Sequence, residues 1–280
     1  MKKITVGIVA HVDSGKTTMS EAMLYQCGSI RKLGRVDKQN AFLDTNYIER
    51  ERGITIFSKQ AKLQWGDTQI TLLDTPGHVD FSAEMERTLQ VLDYAILMVS
   101  GANGVQGHTR TLWKLLETYQ IPTFLFVNKM DQIGTDRQEL MQQLQAQLDG
   151  NCVCFEMDDS EDFYESVAMS DEAALEQFLS EACVDCKTIQ KAIFDRKIFP
   201  CMFGSALKVE GVEQFLNVID RYTVEPKYPR EFGARVFKVT RDGNHRLTHL
   251  KITGGSLRVR DFLGDEKINQ LRIYSGDKYE

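Results

Sequence analysis

The chain has 280 residues and a mass of 32.0 kDa; 42% of its residues are hydrophobic and 26% are charged. This balance is typical of a folded globular protein and excludes both wholesale disorder and a membrane protein. No apolar stretch approaches the roughly 20 residues that cross a bilayer. We therefore expect a cytoplasmic protein with no membrane partner, one large domain or a domain and a half in size.

The negative charge is concentrated in one segment. The formal net charge is −6, from 34 basic and 40 acidic residues. Residues 138–186 hold 13 of the acidic residues and no Lys or Arg, which leaves 27 acidic residues against all 34 basic ones elsewhere. Because one acidic segment is set into a mildly basic body, a contact with RNA on the remaining surface stays open.

The six cysteines are expected to be reduced thiols, because the short apolar run at the N-terminus is not typical of a secretory signal. Cys152 with Cys154 and Cys183 with Cys186 are the two close pairs that a zinc ion could join. The first pair is closer than the usual ligand spacing, and no His lies near either pair. We therefore favour buried or free thiols over a zinc site.

Strand-like and helical patterns alternate along the first 224 residues. In chain order the sequence predicts a strand at 4–10, a helix at 16–25, a strand at 69–73, a helix at 81–91, a strand at 94–100, a helix at 109–119, a strand at 123–128, a helix at 137–148, a strand at 198–203 and a helix at 212–222. The strands are apolar at consecutive positions, as buried parallel strands are. We predict an α/β domain over residues 1–224, a mostly parallel sheet flanked by helices.

Two stretches interrupt this alternation. Residues 28–58 are polar and irregular, and we predict a long mobile loop there. Residues 151–197, part of an acidic insertion at about 138–197, show weak helical patterning near residues 172–179.

The pattern changes after residue 224. Residues 225–231 contain two prolines and read as a stiff linker. Strands are predicted at 234–240, 247–253 and 267–273, with turns at Asp242-Gly243 and Gly254-Gly255. Residues 232–280 therefore predict the start of a small β-barrel, which we expect to be truncated before it closes.

Residues 10–17, AHVDSGKT, match the phosphate loop G-x-x-x-x-G-K-[ST] at every fixed position except the first. Such a loop aims backbone N–H groups and a helix N-terminus at phosphate oxygens. Gly15 allows close approach of the backbone, Lys16 neutralises the β- and γ-phosphates, Thr17 ligates Mg²⁺, and Thr18 reaches the α-phosphate. The alternative is a chance Gly-Lys-Thr at the start of a helix, which the preceding strand disfavours.

A second group of residues points to the same ligand. Asp74 ends a predicted strand, where a carboxylate holds Mg²⁺ through water, and the Gly77 amide follows within reach of a γ-phosphate. In the long loop, Thr55 would complete the Mg²⁺ shell when a γ-phosphate is present, which would make the loop a switch. Taken alone, Thr55 fits a β-branched run entering a strand better.

Two further segments, each at the end of a predicted strand, are predicted to recognise the guanine base. In the segment Asn128-Lys129-Met130-Asp131, the Asp131 carboxylate would accept both N1–H and the N2 amino group of guanine. Adenine would present a lone pair there, so discrimination of about 10⁴-fold is expected. The segment 204–207, Gly-Ser-Ala-Leu, suits a backbone N–H contact to guanine O6. Individually, Asn128 and Asp131 fit a helix cap and residue 205 a plain loop.

Together, the segments AHVDSGKTT, RGITI, DTPGH, NKMD and GSAL resemble the translational GTPases, specifically the elongation factor G group. The stretches LGRVDK, ERERGITI, SGANGVQGHTRTLW and NKMDQIGTD are most similar to the tetracycline-resistance ribosomal protection proteins within that group. The resemblance covers essentially the whole chain, and Ala10 at the first loop position is usual among elongation factor G-like chains. It implies a P-loop GTPase fold followed by the start of a β-barrel domain.

The resemblance also implies roles that the residues alone do not. His78 would orient the attacking water, Val12 and Ile54 would form an apolar gate beside it, and Asp13 would help hold a monovalent cation. The acidic insertion would touch the ribosomal stalk, although a solvated acidic face explains its charge equally well.

The predicted sites are therefore as follows. The nucleotide-binding set is Val12, Asp13, Ser14, Gly15, Lys16, Thr17, Thr18, Asp74, Gly77, Asn128, Lys129, Asp131, Ser205, Ala206 and Leu207; the catalytic set is His78, Lys16 and Thr55; and the metal set is Thr17, Thr55 and, through water, Asp74.

The expected function is that of a ribosome-dependent GTPase, using GTP and Mg²⁺, that resembles proteins which release tetracycline from the ribosome. Two alternatives remain open: a translocation factor homologous to elongation factor G, and a GTP-binding module that docks on the ribosome without hydrolysis. The expected partners are ribosomal RNA and stalk proteins, not DNA, and a monomer is expected. An ATP-using protein is disfavoured by Asn128 and Asp131.

Overall fold

The computed structural model describes residues 1–34, 42, 55, 58–78, 82–156, 159–243, 245–276 and 278–280. Most of the loop predicted at 28–58, including the gate residue Ile54, lies outside these described residues. No helix in the described ranges is long and apolar enough to cross a membrane.

Seven strands form the central sheet of the domain. They are β1 (Lys2–Ala10), β2 (Lys59–Trp65), β3 (Thr68–Asp74), β4 (Tyr94–Ser100), β5 (Thr123–Asn128), β6 (Cys152–Cys154) and β7 (Phe199–Phe203). Their spatial order is β2-β3-β1-β4-β5-β7-β6. Every neighbouring pair is parallel except β2 with β3.

The helices of the described chain are α1 (Lys16–Gln26), α2 (Ser82–Leu89), α3 (Gly107–Thr118), α4 (Arg137–Gln147), α5 (Glu161–Ala168), α6 (Glu172–Glu181), α7 (Cys186–Phe194) and α8 (Val212–Tyr222). They cover both faces of the sheet. One face packs Ile8 and Phe124 against α1 and α8, while the other packs Val9 and Leu125 against α3 and α4. Because β4 and β5 are buried at every residue, they need apolar side chains at consecutive positions. The predicted α/β class is confirmed.

Two strands of the central sheet were missed, each for a physical reason. β2 is the antiparallel edge of the sheet, so it alternates: Ala61 and Leu63 are buried while their neighbours are not. β6 has only three residues, too few for a pattern to be recognised. Outside the acidic insertion, the other strands and helices of the domain begin and end close to their predicted positions.

Residues 151–197 of the acidic insertion contain, among the described residues, three helices, α5 to α7, where one weak pattern was predicted. Each begins at a polar residue whose side chain accepts a backbone N–H of the first turn: Ser160 from Phe163, Asp171 from Ala173 and Ala174, and Asp185 from Thr188. Such caps stabilise a helix by about 1 kcal/mol each. These caps are a signal in the sequence that the prediction did not use.

The residues after the linker form short antiparallel pairs. β8 (Gly233–Asp242) pairs with β9 (His245–Gly254), β10 (Phe262–Leu263) with β11 (Glu266–Lys267), and β12 (Tyr274–Ser275) with β13 (Lys278–Tyr279). The strand predicted at 267–273 is wrong, because β11 ends at residue 267 and residues 268–273 lie in no strand. Gly264, with φ 60°, turns the chain back there, and Ile268 closes the hairpin by donating to the Asp261 carbonyl at 2.8 Å.

Asp93 joins this β region to the sheet. It directly precedes β4, and its carboxylate accepts the Thr5 amide at 2.7 Å, the Tyr228 hydroxyl at 2.9 Å and the Lys251 ammonium at 2.5 Å. Lys251 also donates to the Val91 carbonyl at 2.9 Å. Burial lowers the pKa of Lys251, and the charge of Asp93 opposes that shift. One buried carboxylate therefore holds a strand, the linker and β9 together.

We expect Asp93→Ala to lower the free energy of unfolding by about 2–4 kcal/mol, because three donors lose their acceptor and Lys251 loses its counter-ion. Thermal melting followed by circular dichroism measures the effect. Asp242→Ala is the matched control, since Asp242 also pairs with one cation, Arg272, but its side chain is 56% exposed. An equal drop in melting temperature for both variants would contradict this account.

Candidate functional site

The phosphate loop connects β1 to α1 through two residues in the left-handed region. Asp13 has φ 63°, and Gly15, the N-cap of α1, has φ 88°. No side chain of the described residues caps α1, so the amides of its first turn remain available to an anion. A Cβ on Gly15 would lie 2.4 Å from the Asn128 amide nitrogen, so the backbone needs glycine here for space as well as for conformation.

Three of the predicted residues meet around the Lys16 ammonium. Lys16 forms an ion pair with the Asp74 carboxylate at the end of β3, and its Nζ lies 3.2 Å from the Thr55 hydroxyl. The side chains of Lys16 and Asp74 are 8% and 0% exposed, so this charge pair is shielded from water. The structure therefore brings together residues that are 39 and 58 positions from Lys16 in the sequence.

The side-chain oxygen atoms near the Lys16 ammonium are suitable ligands for a divalent cation. Asp74 Oδ2 is buried and has no hydrogen-bond partner among the described residues, so it is an acceptor with an unfilled lone pair. The Thr55 hydroxyl lies in the same cluster, and Thr17 is half-buried in the first turn of α1. Hydroxyl and carboxylate oxygens are the donors that Mg²⁺ prefers.

Gly77 lies against the phosphate loop. A Cβ at this position would be 3.2 Å from the Ala10 carbonyl oxygen and 3.7 Å from Lys16 Cε. The preceding chain is fixed by Thr75, whose hydroxyl donates to the Ile8 carbonyl at 2.7 Å. His78 follows and is half-buried. The predicted contact and catalytic positions 77 and 78 are thus beside the loop that carries Lys16.

Asn128 links the phosphate loop to the loop after β7. Its side chain is buried at the end of β5; Nδ2 donates to the Ser14 carbonyl at 2.8 Å, and Oδ1 accepts the Ala206 amide at 2.8 Å. The sequence placed Asn128 among the base-binding residues. In the structure both ends of its amide are used to hold neighbouring loops, a role that sequence reasoning missed.

The loop 204–207 lies beside residues 128–131. Met130 donates its amide to the Gly204 carbonyl at 3.0 Å, and Lys208 Nζ lies 3.9 Å from Asp131 Oδ2. The amides of Ser205 and Ala206 are already bonded, to the Glu210 carbonyl and to Asn128. Among the described contacts of this loop, the N–H of Leu207 has no partner. We therefore expect Leu207, among the predicted residues 205–207, to donate to guanine O6.

The remaining predicted residues differ in burial. Val12, Thr18 and Lys129 are half-buried, Asp13 is exposed, and Lys129 adopts a left-handed conformation with φ 66°. All the predicted residues that are described lie at or after the carboxyl ends of β1, β3, β5 and β7, or on the loop leading to β2.

His108 is a residue of this region that sequence reasoning missed. It lies in the first turn of α3, and the centroid of its ring is 5.7 Å from that of His11. Burial lowers the pKa of His108, as do the charges of His11 and His78, while the nearby Gly77 carbonyl opposes the shift. No spacing in the sequence relates His108 to His11, so there was no signal from which to find it.

The chain matches known proteins over nearly its whole length. Residues 1–225 match the family described as "Elongation factor Tu GTP binding domain". Over 98% of its length the chain is 35% identical to tetracycline resistance protein TetO of Streptococcus pneumoniae and 34% identical to TetM from transposon Tn916 of Enterococcus faecalis. The chain spans 46% of the length of each of these relatives.

A solved structure from Thermus thermophilus has the same fold. It superposes with a TM-score of 0.88 at 24% sequence identity, over 99% of this chain and 50% of the other. The match includes the short β pairs after the linker as well as the central sheet.

We expect Asn128→Ala to destabilise the chain by about 2–3 kcal/mol and to weaken GDP binding about tenfold, because two buried backbone groups lose their partners and two loops separate. Melting and calorimetry measure the two effects. Asn103→Ala, at an exposed position in the loop after β4, is the control that should change neither. Wild-type affinity in Asn128→Ala would show that the two loops are held by other contacts.

Proposed function

The chain belongs to the family of the elongation factor Tu GTP-binding domain, and from this premise we propose that it is the catalytic part of a ribosome-dependent GTP hydrolase resembling the ribosomal protection proteins. Family membership makes it a guanine-nucleotide-binding protein. The activity and the ribosomal partner are proposed, since the chain spans less than half of TetO and TetM. Their printed names concern tetracycline resistance, and we extend that role to this chain as part of the proposal.

The observation that carries the proposal is the buried cluster of Lys16, Asp74 and Thr55. A lysine held beside a carboxylate with an unfilled oxygen supports a site for a polyphosphate with its divalent ion. In this cluster the Asp74 carboxylate serves as the counter-ion of Lys16. With GTP present, we propose that Lys16 turns to the β- and γ-phosphate oxygens and leaves the carboxylate to water.

The proposed reaction is attack of water on the γ-phosphorus, in which the bond to the β–γ bridging oxygen breaks and GDP leaves with that electron pair. His78 would orient the water, and the Gly77 amide would donate to a γ-phosphate oxygen. Thr17, Thr55 and, through water, Asp74 would hold Mg²⁺, which would neutralise the charge of the phosphate oxygens when bound. Such catalysis depends on positioning and electrostatics rather than on covalent chemistry.

Unassisted turnover is expected to be slow, on the order of 10⁻³ s⁻¹ or below, as in switch GTPases without an activator. We propose ribosomal RNA as the activator. We also propose that the protein acts in the cytoplasm and as a monomer. The gate formed by Val12 and Ile54, the monovalent cation near Asp13 and the contact of the acidic insertion with the ribosomal stalk rest on the family resemblance.

Asp131→Asn tests the base assignment. We expect GDP affinity to fall about 100-fold and XDP affinity to rise, because an amide at this position complements the xanthine edge instead of the guanine edge. Calorimetry with GDP, XDP and ADP measures the preference. Asp136→Asn is the control, since Asp136 lies five positions away and caps α4. Unchanged guanine affinity in Asp131→Asn would refute the assignment, and ADP binding equal to GDP binding would refute guanine specificity altogether.

His78→Ala tests the catalytic assignment. We expect normal GDP binding but a loss of ribosome-stimulated phosphate release of at least about 100-fold, because the attacking water loses its orienting group. His245→Ala, at an exposed position of β9, is the control that should keep wild-type turnover. Normal stimulated turnover in His78→Ala would remove His78 from the mechanism. Absence of phosphate release by the wild-type chain, with ribosomes as without, would favour a non-hydrolysing module.

A further inference from the structure

We propose that the chain has a second small-molecule site, a cavity at the amino ends of β4 and β5 that binds a small aromatic anion. The cavity has a volume of about 790 Å³, which is within the usual range of small-molecule pockets. Its wall includes residues at the start of both strands, at the end of α7, in the linker and in β8 and β9.

The cavity is separate from the candidate nucleotide site. Tyr94 is the first residue of β4 and Pro122 directly precedes β5, and both residues line the cavity. The predicted base-binding residue Asn128 instead ends β5. A strand of six residues, such as β5, is about 20 Å long. The two sites therefore lie at opposite edges of the central sheet.

The charges in the wall favour an anion. The Asp93 carboxylate is paired with the Lys251 ammonium at 2.5 Å and accepts the Tyr228 hydroxyl at 2.9 Å, so its charge is already balanced. Arg235 is the other charged residue of the wall. Its Nη1 donates to the Gln90 carbonyl at 2.9 Å, and it pairs with no acidic residue in the described part of the chain. The wall thus carries one uncompensated positive charge.

Both cations keep N–H groups for a ligand. An ammonium has three N–H donors, and the described hydrogen bonds of Lys251 use two of them, to Asp93 and to the Val91 carbonyl. A guanidinium has five donors, of which Arg235 uses one in the described structure. Burial lowers the pKa of Lys251, the charge of Asp93 opposes this shift, and the charge of Arg235 adds to it. An anion close to both cations would offset their repulsion.

The rest of the wall favours a ligand with aromatic rings. Tyr119, Phe194 and Tyr228 line the cavity, together with Pro122 and Pro226. Phe194 and Tyr228 are 47% and 42% exposed, so two large rings are partly open to solvent. A planar apolar ligand would cover these rings and remove apolar surface from water. An inorganic anion would leave the rings uncovered, and a neutral ring would leave the cations without an acceptor.

Two dyes that differ by one sulfonate test both parts of this inference. The anion is anilinonaphthalene sulfonate, and its neutral counterpart is phenylnaphthylamine. We measure the dissociation constant of each dye by fluorescence titration of the wild-type chain, Arg235→Gln and Phe194→Ser, with and without excess GDP. Arg241→Gln, on β8 but outside the cavity, and Phe262→Ser, at an exposed ring of β10, are the matched controls.

We expect the wild-type chain to bind one molecule of the anionic dye. Arg235→Gln should weaken binding of the anionic dye about tenfold, because a charged donor is lost, and should change binding of the neutral dye by less than about twofold. Phe194→Ser should weaken binding of both dyes about fivefold, because both lose apolar contact. The control variants and excess GDP should leave both dissociation constants within about twofold of the wild-type values.

An unchanged dissociation constant of the anionic dye in Arg235→Gln would overturn the inference, as would equal weakening in Arg241→Gln. Displacement of the dye by GDP would place it in the nucleotide site and would also overturn the inference. Equal weakening of both dyes by Arg235→Gln would show that the arginine supports the wall without recognising an anion. Binding of several dyes per chain, with no effect of either cavity variant, would show adsorption to exposed apolar surface and no site.

Discussion

The buried side chain amide of Asn128 is the contact on which the site depends. It donates to the phosphate loop through the Ser14 carbonyl and accepts from the loop after β7 through the Ala206 amide. β1 and β7 are separated in the sheet by β4 and β5, so these loops have no strand pairing in common. Only a short side chain with both a donor and an acceptor can satisfy two backbone groups of opposite polarity at once. The close approach of Gly15 to the same nitrogen shows how little room is left around this amide.

The fold could be predicted from the sequence wherever burial is complete on both faces. β4 and β5 are continuous apolar runs, and α8 repeats Val212, Phe215, Leu216 and Ile219 at helical spacing, so the pattern reports the structure directly. Elements outside the fully buried core show a weaker hydrophobic pattern in the sequence. β2 at the sheet edge alternates, α6 of the insertion buries only Ala174, and residues 268–273 lie in no strand where one was expected.

Only part of the candidate site could be predicted from the sequence. Lys16, Asp74 and Asn128 lie at or just after strand ends, where sequence motifs specify the residue type, so their presence in one region could be inferred from the chain. Their hydrogen-bond partners could not be inferred. The pairing of Lys16 with Asp74, the use of the Asn128 amide between two loops and the ring contact of His108 with His11 depend on packing distances that no spacing in the sequence encodes.

The helix caps and ion pairs of the acidic insertion reduce the electrostatic field that some of its carboxylates exert on a binding partner. Asp171 and Asp185 already satisfy backbone donors at helix N-termini, and Asp171 is also paired with Lys197. Glu156 and Asp159 face Arg137 and Arg221. These four of the 13 acidic residues are held by helix N-termini and basic side chains, so each contributes less to the outward field than an unpaired carboxylate would. Any salt dependence of an association through this surface would accordingly come mainly from the other acidic residues of the segment.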